Sequence, residues 1–162
     1  GQLDRHPLVR LGGGDQRHDV GCVATVLRAA QTTDGRYAVV AGMGRRIRVV
    51  DWLVDDPYPC AEVADWPDDP GDAVDAATLT ELTRRTRRAA ALAVEVGDAD
   101  RDQGVQLSDD PTLLTYQLAW LAPLGDADRY DLLCAGGAGD RARRSAALLD
   151  EIEPVLQFRL QG

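Results

Sequence analysis

Lysine is absent from this 162-residue chain, whose 18 basic residues are all arginine. That absence excludes Ser-Lys dyads and lysine Schiff-base chemistry. Histidine occurs only as His6 and His18, too few and too isolated for a metal cluster, and neither has a serine or cysteine nucleophile at a recognisable motif spacing. The three cysteines, Cys22, Cys60 and Cys134, form no C-x-x-C pair. Neither a zinc site nor a disulfide framework is indicated, and a reducing cytoplasm suits them. No apolar run approaches the roughly 20 residues that a spanning helix needs, and no charged-then-apolar export segment opens the chain. The expectation is a protein without metal, cofactor or membrane.

What is present is acidic and unevenly so. Formal net charge is −9; residues 1–66 carry 8 Arg against 9 Asp and Glu, whereas residues 67–162 carry 10 against 18. Such a chain repels polyanions, which makes nucleic acid an unlikely partner. The segment P-D-D-P-G-D, Pro67 to Asp72, interrupts any regular pattern and predicts a boundary between a β-rich domain, 1–70, and an α-helical domain, 71–162.

Before the boundary the apolar residues are short, β-branched runs: 20–27, 36–41, 47–53 and 60–66. Their period of two predicts four strands joined by short turns, with Asp34-Gly35 as a type I′ hairpin turn. In the third run Ile47, Val49 and Asp51 are expected on one face, Arg48, Val50 and Trp52 on the other. After the boundary the period becomes helical. Leu79, Leu82, Thr86, Ala89, Ala93 and Val96 form one stripe, and Leu114, Leu118 and Leu121 line a second helix capped by Asp110 with Pro111 in its first turn. A short helix from Asp126 to Cys134 follows, and then a last helix capped by Asp140, carrying Ala142, Leu149, Ile152, Leu156 and Leu160 and kinked or broken at Pro154.

The stretch G-M-G-R-R, Gly42 to Arg46, has the look of a phosphate loop, but it stands between two strands with no helix N-terminus after it. The structural reading is a bend or bulge at Gly42 and Gly44, with Arg45 and Arg46 bonding freed carbonyls or facing solvent. Gly12 to Asp15 reads as a loop. The pairs Asp55-Asp56, Asp68-Asp69 and Asp109-Asp110 lie beside prolines, where turns and caps account for them better than acid-base catalysis. No catalytic residue is assigned. Cys22 reads as a small buried hydrophobe, and Trp52, Tyr58, Trp66, Tyr116 and Trp120 as packing residues.

Taken in order, V-G-C-V-A-T-V-L, D-G-R-Y, G-M-G-R-R-I-R-V and D-D-P-Y-P-C-A-E-V resemble the N-terminal domain of Lon proteases. Past the boundary, S-D-D-P-T-L-L-T-Y-Q-L-A, L-A-P-L-G-D-A-D-R-Y-D-L-L and the L-L-D-E-I of the closing helix extend the resemblance to small stand-alone proteins of that kind, from about Asp15 to Arg159. The resemblance implies an α+β fold: a partial, antiparallel PUA-like β pseudobarrel followed by an α-helical subdomain. It also implies a non-enzymatic protein-binding role, with Gly21, Gly42, Gly44 and Arg45 as architectural positions. The family's F-P-L-x-x-x-x-F-P-like and E-x-R-Y segments are missing, as are an ATPase and a Ser-Lys protease module. The expectation is a truncated barrel and a free-standing adaptor ending at Gly162.

The expected partners are unfolded or tagged polypeptides, or a protease or chaperone. Peptide contact is expected at Trp52, Tyr58, Arg46 and Arg48, with homodimerisation possible through an open sheet edge. Three rivals stand beside this reading: an RNA-binding PUA-like module using Arg45, Arg46 and Arg48; an enzyme using carboxylates or Cys60; and a purely structural dimer.

Overall fold

The computed structural model describes residues 4–7, 17–55, 58–98 and 105–161. Its contacts divide the chain into two compact units, Gly1–Pro67 and Asp68–Gly162. The Gly12–Asp15 loop, Asp56 and the side chain of His6 lie outside the described residues.

The first unit is a four-stranded antiparallel sheet made of β1 (Asp4–Pro7), β2 (Val20–Gln31), β3 (Tyr37–Trp52) and β4 (Cys60–Asp65), in the order β1-β4-β3-β2. Strand β1 was not expected, because D-R-H-P shows no apolar alternation; its backbone pairs with β4 through Asp4↔Val63 to Pro7↔Cys60. The two strands expected at 36–41 and 47–53 are one 16-residue strand. Gly42 and Gly44 interrupt the side-chain pattern without ending the backbone ladder. A bulge absorbs the irregularity: Ala24 pairs with Met43 and Cys22 with Arg46, so β3 spends one extra residue there.

The hairpin turn also differs from expectation. Type I′ needs positive φ at two central positions, and Asp34 does not have it; only Gly35 does, at +84°. Thr32 closes the turn by accepting from the Gly35 N–H at 3.0 Å and donating to the Arg36 carbonyl at 2.8 Å. The sheet core is small: Ile47, Ala61 and Val63 are buried, with Val23, Val49 and Trp52 packed on them. Trp52 thus shares the face of Ile47 and Val49, opposite to the expectation. A third irregularity in register, after those between Cys22 and Ala24 and between Val26 and Arg28, is a bulge at Val50 between the pairs Val49↔Val63 and Asp51↔Glu62, and it reverses the alternation there.

The second unit contains α1 (Ala76–Glu95), α2 (Pro111–Leu121), α3 (Asp126–Leu133) and α4 (Ala138–Gln161). The α1 stripe is as its spacing requires: Leu79, Leu82, Thr86, Ala89 and Ala93 are buried. The Asp75 carboxylate accepts from the Thr78 N–H at 2.9 Å and its hydroxyl at 2.6 Å, and that hydroxyl bond is the main reason its pKa lies below the usual value. Asp110 caps α2 by accepting from the Leu113 N–H at 2.8 Å, with Pro111 in the first turn. Leu82, Ala89, Ala93, Leu118, Ala142, Leu149 and Leu156 close one continuous core. Leu160, expected inside, is 49% exposed.

Helix α4 begins two residues before Asp140 and runs through Pro154 as one helix. Its N-terminus is fixed by the boundary segment. The Asp72 carbonyl accepts from the Gly139 N–H at 2.9 Å and the Asp72 carboxylate from the Asp140 N–H at 2.6 Å, a negative charge where the helix dipole favours one. The approach is close enough that a Cβ on Gly139 would lie 2.5 Å from Asp72 Oδ1. Asp140 itself accepts from the Gly136 N–H at 3.1 Å. Burial pushes Asp140 up, but the Arg144 guanidinium, the Gly136 N–H and the nearby Arg143 charge outweigh it and leave its pKa lowered.

Deepest in this unit lies a polar contact with no sequence signal. Arg141 is fully buried and forms a bidentate pair with Asp68 at 2.9 Å, while donating to Thr115 Oγ1 at 2.8 Å and to the Leu132 carbonyl at 3.2 Å. Its guanidinium also lies 3.4 Å from the Tyr116 ring centroid, and Tyr116 Oη donates to Asp68 at 2.8 Å. A charge this buried is tolerated only with its donors this fully used.

Candidate functional site

The residues singled out for binding all belong to the sheet unit, and pairing register decides where they point. Toward the turn, β2 and β3 form a two-stranded ribbon exposed on both faces from Ala24 to Ala41, with residues 20–23 half-buried at its base. Following the pairs Ala24↔Met43, Val26↔Ala41, Ala29↔Val39 and Gln31↔Tyr37, across a bulge at Leu27 of β2, one face of that ribbon presents Ala24, Val26, Ala29, Gln31, Tyr37, Val39, Ala41 and Met43. Val26, Tyr37, Val39 and Met43 are each more than half exposed. A ribbon of this kind is only marginally stable by itself, and solvated apolar side chains do not add to it.

The bulge after Met43 keeps Arg46 on that same face, because Cys22 and Ala24, two apart in β2, pair with Arg46 and Met43. The stripe therefore leads along β3 into Arg46 and Arg48. Arg46 is 6% exposed and committed to the fold. Its Nε donates to the Trp66 carbonyl at 2.9 Å, its own carbonyl accepts from the Trp66 N–H at 2.9 Å, and its guanidinium lies 4.1 Å from the Trp66 ring centroid. The carbonyls that Arg46 bonds are those of Trp66 and Pro67, beyond β4, and not ones freed at the Gly42–Gly44 bend. Arg48, exposed, also stacks on Trp66, at 4.0 Å. Arg45 turns to the opposite face and pairs with Asp65.

Trp52 and Tyr58 are not part of this stripe. Trp52 is half-buried on the core face, with the Arg17 guanidinium 4.8 Å from its ring and Arg17 in turn held by both oxygens of Asp55 at 2.9 and 3.1 Å. Tyr58 is 64% exposed, and its carbonyl accepts from the Cys60 thiol at 3.4 Å. Of the architectural positions, Gly44 lies at the first bulge, where a Cβ would come within 3.2 Å of the Val23 carbonyl; Gly42 lies beneath the Leu27 side chain, and Gly21 pairs with Ile47.

Sequence reasoning missed Trp66 as a partner of the arginines, placing it among packing residues. A signal existed: Trp66 follows β4 directly, and Ile47↔Asp65 brings it level with Arg46. It also missed the ribbon's continuous apolar face, which the supposed break at Gly42–Gly44 concealed. The acidic pairs have structural occupations: Asp68 holds Arg141, the Asp69 carboxylate accepts from the Gly71 N–H, Asp110 caps α2 and Asp55 holds Arg17.

A family model described as the ATP-dependent protease La (LON) substrate-binding domain matches residues 6–151. Among solved structures, the N-terminal domain of the Mycobacterium avium complex Lon protease matches with a TM-score of 0.58 at 18% identity, covering 93% of this chain and 90% of that one. The Lon N-terminal domain protein from Xanthomonas campestris matches with a TM-score of 0.55 at 22% identity, covering 82% of this chain and 68% of that one. At these identities the two structures speak for the fold, an antiparallel sheet followed by helices, and the α+β class is theirs as well. No curated protein matches the chain at a significant level.

Proposed function

The chain belongs to the family of Lon protease substrate-binding domains, and on that premise we propose that it is a non-catalytic module that holds polypeptides without transforming them. The observation that carries this reading is the apolar face of the β2–β3 ribbon, with Val26, Tyr37, Val39 and Met43 solvated. β2 is also an outer strand of the described sheet, so an extended chain can add to it by backbone pairing while its side chains meet the stripe. The β-rich residues 1–70 are the binding part, and the helical residues 71–162 are a separately packed body.

Within this reading Arg48 contacts the bound chain at the stripe's end, and Arg46 acts from beneath by fixing Trp66. Trp52 and Tyr58 form a second contact near the end of β3. Gly21, Gly42, Gly44 and Arg45 shape the sheet. The partners are unfolded or tagged polypeptides, handed on to a protease or chaperone. The free thiols of Cys22, Cys60 and Cys134 support a reducing, cytoplasmic setting; among the described residues no helix is long and apolar enough to cross a membrane. Homodimerisation through the β2 edge is the competing use of the same surface.

The test is fluorescence anisotropy of a labelled, permanently unfolded polypeptide against this chain and against an unrelated domain of similar acidity. Binding here, and its loss in Val26→Asp and Val39→Asp, is the expected result. No enrichment over the acidic control removes the reading, and a chain that sediments as a dimer with its ribbon covered reassigns the stripe to self-association. The RNA alternative has one favourable observation, the exposed guanidinium of Arg48; a salt-dependent RNA shift lost on Arg48→Gln would promote it.

A further inference from the structure

Resting on the polypeptide-binding reading above, we infer that Arg48 makes the ribbon surface selective for an extended segment whose carboxylate lies in phase with its apolar side chains. Most arginines of this chain already have an acidic partner: Arg17, Arg36, Arg45, Arg84, Arg85, Arg129, Arg141, Arg143, Arg144 and Arg159 each pair with Asp or Glu. Arg48 differs. Its cross-strand neighbours are Val20 on β2 and Ala64 on β4, neither of which offers a charge, and among the described residues it makes no ion pair. Arg28, Arg87 and Arg88 likewise make no ion pair among the described residues, but of these four only Arg48 stacks on an aromatic ring, so it alone is both without a carboxylate and held in one place.

The group is also held in place. Its guanidinium stacks 4.0 Å from the centroid of Trp66, and Trp66 is fixed by two hydrogen bonds with Arg46, its N–H donating to the Arg46 carbonyl and its carbonyl accepting from Arg46 Nε, while the buried Arg46 guanidinium stacks on the same ring at 4.1 Å. Stacking occupies the flat face of a guanidinium and leaves its edge, where the N–H donors lie, free to take a carboxylate. Because the torsional freedom of Arg48 is already reduced, a bound anion orders little more.

Register then sets the chemistry of the ligand. Tyr37, Val39, Ala41 and Met43 alternate along β3, and the bulge carries their face on to Arg46 and Arg48. An extended chain paired along the β2 edge, antiparallel or parallel, presents side chains on this same face at every second position. The preferred segment therefore has apolar residues two apart and an acidic residue, or its terminal carboxylate, an even number of positions beyond them. A segment with the same composition and the acid one position out of phase points its charge away from Arg48.

Three fluorescein-labelled peptides of alternating valines test this: one with an in-phase glutamate, one with glutamine at that position, one with the glutamate moved by one residue. The expected result at low salt is about two- to fivefold tighter binding of the in-phase glutamate peptide than of either other, the range of an exposed charge pair. The preference should shrink at about 0.5 M salt. Arg48→Gln should abolish it and Arg48→Lys should restore part of it, with circular dichroism unchanged. Equal affinity for all three peptides, or a preference that survives Arg48→Gln, overturns the inference and leaves polypeptide binding standing. Failure of every peptide to bind overturns both. Binding of a labelled uridine 12-mer that Arg48→Gln abolishes, with no glutamate preference, assigns the guanidinium to phosphate and also overturns it.

Discussion

The two units use apolar residues in opposite ways. In the helical unit, α1, α2 and α4 enclose a core of Leu82, Ala89, Ala93, Leu118, Ala142, Leu149 and Leu156, and even the guanidinium inside it has every donor direction occupied. Among the described residues of the sheet unit the buried apolar side chains are Ile47, Ala61 and Val63, while Val26, Leu27, Tyr37, Val39, Val40 and Met43 stand in solvent. The helical unit closes a large core and leaves side chains such as Val155 and Phe158 in solvent around it; the sheet unit closes a small one and keeps a whole apolar face in solvent. The difference indicates where stability is made and where binding is made.

The sharpest way to break this contrast is Arg141→Met. It leaves the Asp68 carboxylate, 10% exposed, without its countercharge, at a cost of about 3–5 kcal/mol. The unfolding free energy read from the helical signal in urea should fall by that amount while hydrogen exchange in β3 and β4 is unaltered, and adding Asp68→Leu should recover most of it. Ile47→Ala should do the reverse. Removing one of three buried apolar side chains of the described sheet is expected to cost about 2–4 kcal/mol, read as lost amide protection in β3 with the helical circular dichroism intact.

Gly139→Ala should have a smaller effect, about 1–3 kcal/mol, because its methyl group would press on Asp72 Oδ1 and on the Ala73 carbonyl at 2.8 Å. The smallest effect is that of pH. Asp75 and Asp140 both have lowered pKa values in the folded chain, so each contributes stability that is complete above the ordinary carboxylate value of about 3.9 and is lost as pH falls through the folded value. The helical unit should therefore weaken as the solution is acidified below about pH 4, and Asp75→Asn should flatten that slope. An unchanged slope would remove Asp75 from the account.

Helices α1 and α2 were legible because each stripe lies on one continuous element with a cap of its own; the residues from Leu79 to Ala93 and the pair Asp110-Pro111 needed no distant partner. The sheet was legible as strands and illegible in its joints. Glycine at 42 and 44 reads as an interruption, yet backbone pairing continues through it, because a bulge needs one extra residue and no break. A bulge is also what reversed Trp52, since one added residue exchanges the two faces. The Arg141–Asp68 pair was out of reach for another reason: its partners are 73 positions apart, and each looks ordinary in its own neighbourhood, an arginine in a helix and an aspartate beside a proline. The binding stripe was visible only in part, as Arg46 and Arg48, because its apolar members become a set once the pairing register is known.

Asp68 is the first residue of the helical unit, and the charge it contributes is clasped by the last helix. Limited proteolysis should be unusually sensitive to position here: scission just ahead of Asp68 leaves a fragment with its internal clasp whole, whereas scission just after Asp72 removes the clasp and the acceptors that anchor the beginning of α4 together. A handful of residues that resemble disposable tether thus decides whether the excised C-terminal piece survives.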